Sequence, residues 1–109
     1  MKVSTLESPP ELTVYDGDHI TVPYPASLGG TVSWFYTRSQ EATPNVIFER
    51  NAVNSKYMNK VIVNNDPSSR DYNLSLHAVQ LNDYGWYICY IDYNDGSTFI
   101  HPVLLTVKG

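Results

Sequence analysis

Apolar and polar residues alternate along most of the chain in short runs rich in Val, Ile, Thr and Tyr, separated by clusters of Gly, Pro, Asn and Asp. No window sustains an apolar stripe at the helical period, so the pattern predicts an all-β protein. "ELTVY" is followed by the turn "DGD" and then by "HITVPY", where Ile20, Val22 and Tyr24 share one face. "TVSWFYT" puts Val32, Trp34 and Tyr36 on one face; "NVIFE" and the weaker "RNAVNSKYM" come next. "NKVIV" ends at the turn cluster "NNDPSS", and "RDYNLSLHAV" sets Tyr72, Leu74 and Leu76 against Asn73 and Ser75. "FIHPVLLTV" closes the chain. About eight or nine strands, each with one face to bury, call for two antiparallel sheets packed face to face; a closed barrel is the structural competitor.

One stretch departs from this alternation. In "DYGWYICYIDYNDG", residues 83–96, apolar and aromatic side chains occupy both parities, and the only cysteine, Cys89, has no partner to bridge to. Cys89 reads either as a reactive or intermolecular thiol or as a small buried hydrophobe. No base or cation near it in sequence would lower its pKa, which favours the buried reading.

Composition narrows the function classes. With 109 residues the chain is expected to form a single domain over 1–109, and a hydrophobic content of 42% is enough for one core. Net charge is −4 with seven Lys and Arg, so nucleic acid is not an expected partner. No apolar run is long enough to span a bilayer, and "MKVSTLESPPEL" lacks the apolar middle of a signal peptide. His19, His77 and His101 are scattered, and "DYNDG" misses the calcium-loop spacing by one residue. No convergent set of titratable groups can be assembled, so no catalysis, metal, cofactor or small-molecule substrate is expected. Asn73-Leu74-Ser75 is an N-glycosylation sequon, with Asn73 on the solvent side of its strand.

Asp83, Gly85, Tyr87 and Cys89 form D-x-G-x-Y-x-C, preceded by Leu74, Leu76 and Val79, with Trp34 and "GDHITVPY" upstream in register. Together these residues resemble the immunoglobulin superfamily over almost the whole chain. The resemblance implies a Greek-key sandwich in which Trp34 fills the space between sheets, Tyr87 turns its hydroxyl back to the backbone, and Gly85 permits a tight approach. It also implies an ion pair for Asp83 at the sandwich base, where Lys60 is the nearest cation to the inward Val61. The 55 residues from Trp34 to Cys89 are similar to the variable type, with nine strands. Tyr24 stands where the family normally carries the second cysteine, a loss of about 2–5 kcal/mol that its aromatic packing beside Trp34 would partly offset. "FIHP" replaces the Phe-Gly-x-Gly bulge of antigen-receptor chains.

If Tyr87 and Cys89 face inward, then Trp86, Ile88 and Tyr90 face outward. Phe35 lies outward opposite Trp34, while Val103, Leu105 and Val107 inward leave Ile100, Pro102 and Leu104 outward. In the resembled fold these fall on one sheet, forming an apolar patch of the kind that marks interaction sites. The end loop, with Asp92, Tyr93, Asn94 and Asp95, would join it. A competing expectation is that "NVIFE" and the residues after it fold over the patch.

The resemblance implies an extracellular recognition or adhesion module at the cell surface, held there by a transmembrane segment outside this fragment. Its partner would be another immunoglobulin-like domain, itself or a close relative. The missing cysteine is also similar to the first domains of invertebrate, notably cnidarian, allorecognition receptors, which implies homophilic self-recognition. Two rival expectations are a receptor domain binding a foreign ligand by its end loops, and an intracellular structural immunoglobulin domain.

Overall fold

The computed structural model describes residues 10–22, 30–39, 41–64 and 72–109. Among the described residues nine strands run in chain order: β1 Glu11–Tyr15, β2 Ile20–Val22, β3 Gly30–Thr37, β4 Asn45–Glu49, β5 Ala52–Val53, β6 Val61–Val63, β7 Leu74–Leu76, β8 Gly85–Tyr93 and β9 Thr98–Lys108. They form a six-stranded sheet, β1-β9-β8-β3-β4-β5, and a three-stranded sheet, β2-β7-β6. The architecture is the expected all-β sandwich of two sheets, and the barrel competitor falls away.

The "DGD" turn does not fold β2 back onto β1. Gly17, at φ +95°, carries the chain from one sheet to the other, with its amide donating to the Val79 carbonyl and the Val79 amide donating to the Asp18 carbonyl. β1 therefore lies beside the last strand, parallel to it, with Val14 opposite Val107. The remaining strand pairs are antiparallel.

"NVIFE" is β4, and it lies in the plane of the large sheet beside β3, extending that sheet without covering it. The register shifts between Trp34, opposite Phe48, and Phe35, opposite Val46. The extra residue, Ile47, is fully buried and so is its neighbour Phe48. A bulge thus turns two consecutive side chains inward, which strict alternation forbids. "RNAVNSKYM" becomes the two-residue β5 and a 3-10 turn at Ser55–Tyr57, capped by Asn54, whose side chain accepts from the Lys56 amide and donates to the Val46 carbonyl.

Inward residues from both sheets meet in one core. Val22, Val61, Leu74 and Leu76 of the small sheet face Val32, Trp34, Cys89, Ile91, Val103 and Leu105 of the large one. Trp34 is fully buried, pairs across strands with Cys89, and donates its indole N–H to the Tyr72 carbonyl at 2.9 Å. That bond ties β3 to the chain entering β7, so one side chain supplies both apolar volume and an inter-sheet hydrogen bond. Tyr24, at the position the resemblance assigns to a cysteine, lies outside the described residues.

Trp34→Phe shrinks the ring and removes the indole N–H that the Tyr72 carbonyl accepts. The expected loss is about 2–4 kcal/mol, read from urea denaturation; a loss below about 1 kcal/mol is incompatible with this role for the indole.

Candidate functional site

The entry to β8 sets the direction of every later side chain on that strand. Tyr87 is buried and donates its hydroxyl to the Asp83 carbonyl at 2.6 Å. The Asp83 carboxylate accepts from Lys60 Nζ at 2.9 Å and from the Gln80 amide at 2.7 Å. Lys60 Nζ donates also to the His77 and Ala78 carbonyls, so one ammonium closes three chain segments at the sandwich base. Gly85 comes next at φ +140°, and a Cβ there would stand 2.8 Å from Tyr36 Cε1 and 2.9 Å from the Thr37 carbonyl oxygen. Both the backbone angle and the space require glycine.

With Tyr87, Cys89 and Ile91 buried, the pleat turns Trp86, Ile88 and Tyr90 to the other face. Strand register assembles these with their neighbours into three rows. Leu104, Trp86 and Thr37 form the first; Pro102, Ile88, Phe35 and Val46 the second; Ile100, Tyr90 and Ser33 the third. Phe35 and Tyr90 touch edge to face, with centroids 5.0 Å apart. Ile100 is 50% exposed, while Phe35, Val46, Trp86, Ile88 and Tyr90 are partly exposed. None of the side chains in these rows is charged; Glu11 and Asp92 stand at the margins.

β9 crosses this face without a bulge, its pairing with β8 unbroken from Gly85 opposite Leu105 to Asp92 opposite Thr98. Leu104 directs its amide to Pro10, on the β1 side. Pro102, two residues earlier, has the same parity, so its missing N–H falls on that side and the ladder to β8 loses nothing.

The end loop contributes less than its composition suggests. Asn94 is exposed, but Tyr93 continues the inward parity of Ile91, and its ring packs against the core, close to Gly30. The expectation that Tyr93 presents its ring with the loop is corrected on that ground. Asp95 Oδ1 accepts from the Ser97 amide and hydroxyl, which hold its carboxyl below the usual range, and Asp92 Oδ1 accepts from Thr98. These carboxylates shape a turn. Among the described residues no cluster of His, Cys, Asp and Glu could hold a metal ion.

Val46 is the face residue that sequence reasoning missed. Period-two alternation puts Val46 and Phe48 on the same side, and only the bulge at Ile47 separates them. The available signal was the uninterrupted apolar run Val46-Ile47-Phe48. On the opposite sheet, Leu74 and Leu76 are buried, and Asn73 precedes β7 on the outward parity, its carbonyl accepting from the Asn64 amide.

The family model for the immunoglobulin V-set domain matches residues 7–108. No curated protein matches the chain.

Cys89 is fully buried, and desolvation pushes its thiol up to about 12 from an ordinary 9.0. The folded protein therefore holds this proton more tightly than the unfolded chain. That contribution is fully present below about pH 9 and is lost as pH rises toward 12. At pH 8 native Cys89 should react with iodoacetamide about 10³-fold more slowly than the same thiol in urea. Equal rates would show a thiol open to solvent.

Proposed function

Because this chain belongs to the immunoglobulin V-set family, whose domains serve as recognition and binding modules, we propose that it acts outside the cell and pairs with another immunoglobulin-like domain through the face carrying Phe35 and Ile88. The partner is a second copy of this chain or a close relative. A membrane-spanning segment elsewhere in the polypeptide would hold it at the cell surface; no helix among the described residues is long and apolar enough for that task.

The observation that carries this reading is the contiguous apolar surface spanning β9, β8, β3 and β4 with no charge in its centre. Two copies with net charge −4 can meet there without desolvating like charges. Phe35, Trp86 and Tyr90 supply aromatic anchors of the kind that dominate interfaces. The unbulged β9 argues for a receptor other than the rearranging antigen-receptor chains. The absent second-strand cysteine, a likeness to cnidarian allorecognition domains, makes self-recognition the first form to test. A glycan on Asn73 would lie on the opposite sheet and leave the face free.

Sedimentation velocity over a concentration series should show a dimer that disappears in the Phe35→Asp, Ile88→Asp double variant, with unchanged far-UV circular dichroism showing that the fold persists. Monomers throughout, for both proteins, would defeat homophilic pairing and turn attention to a foreign ligand. Protein secreted from a eukaryotic host should exceed the sequence mass by one N-glycan, and Asn73→Gln should remove the excess; an unmodified mass means Asn73 is unused.

A further inference from the structure

At the base of the sandwich, away from the apolar face, a cavity of about 240 Å³ opens among Tyr36, Arg38, Lys56, Tyr57, Lys60 and Asp83. Among the described residues, three of the seven Lys and Arg of a net-negative chain line this one space, against one carboxylate. Asp83 is already matched by Lys60, the one ion pair among the described residues. Among the described residues, Arg38 and Lys56 have no anionic partner there. Arg38 donates to the Tyr36 hydroxyl at 3.1 Å, the Tyr84 hydroxyl at 3.2 Å and the Asn82 carbonyl at 3.0 Å, and its guanidinium lies 4.3 Å over the Tyr84 ring. Those contacts are neutral. They hold the guanidinium in place and leave its charge uncompensated.

The walls add a second preference. Val61 and Leu76 form an apolar lining, and the ring of Tyr57 is partly buried beside them. The Tyr57 hydroxyl offers a hydrogen-bond donor at the edge of this lining. A bare inorganic ion would use the cations and waste these walls. The volume is below that of ordinary drug-sized sites, which restricts the occupant to about one ring.

We propose that this cavity binds a small organic anion, a carboxylate or sulfate carried on a single ring as in an acidic sugar, with its charge held by Lys56 and Arg38 and its ring packed against Tyr57. The site is separate from the apolar face, so it stands or falls independently of domain pairing. The same chemistry is offered by a free sugar acid and by the acidic end of a glycan.

Titrations observed by amide NMR should use glucuronic acid, its methyl glycoside, glucose and inorganic sulfate. Saturable shifts at Lys56 and Tyr57 are expected with glucuronic acid, none with glucose, and markedly weaker ones with sulfate. Equal response to the methyl glycoside assigns the site to glycan ends; response to glucuronic acid alone assigns it to the free acid. Lys56 is exposed, so Lys56→Glu should keep the fold and weaken binding by about tenfold or more, with Lys56→Gln between. The Phe35→Asp, Ile88→Asp variant should bind unchanged. The proposal is overturned by the absence of saturation with both acidic probes, by sulfate binding as well as the sugar acid, or by Lys56→Glu leaving the affinity intact.

Discussion

The Tyr87 hydroxyl, fastened to the Asp83 carbonyl where β8 begins, is the contact on which the surface of this protein depends. Once that ring is turned inward, a strand has no freedom to choose which of its other side chains point out. Cys89 and Ile91 must accompany Tyr87 into the core, and Ile88 and Tyr90 must face away. The corner is itself braced, because Lys60 binds the Asp83 carboxylate while Gly85 lets Tyr36 and the Thr37 carbonyl approach closely. The outer face of the large sheet is thus oriented by a corner at the start of β8.

Cys89 has no sulfur partner to lock the two sheets together, so cohesion comes from packing and from the Trp34 indole, which reaches across to Tyr72. The thiol is left as a small apolar side chain among Trp34 and its neighbours, and burial that removes it from water also keeps it protonated. Stability and chemical inertness have the same cause here.

Charge is distributed unevenly. The large sheet's outer face is uncharged across its centre, whereas Arg38, Lys56 and Lys60 gather around the cavity at the base. The two regions therefore suit different chemistry. One offers an apolar surface; the other gathers positive charge around a small space.

The all-β class, the two-sheet architecture and the outward direction of Phe35, Trp86, Ile88 and Tyr90 were legible in the sequence, because strand side chains alternate and one inward residue settles the rest of its strand. Lys60 could be named beside Asp83 because the immunoglobulin resemblance implies a cation at the sandwich base and Lys60 directly precedes the inward Val61. Three features were not legible: the bulge that buries Ile47 and Phe48 together, the parallel placement of β1 beside β9, and the turning-in of Tyr93 against the core. Each depends on which strand becomes whose neighbour and on the space left between sheets. The local pattern determined which face of a strand is apolar; only tertiary packing decided where that strand sits and what fills the room beside it, because those depend on contacts between residues far apart in the chain.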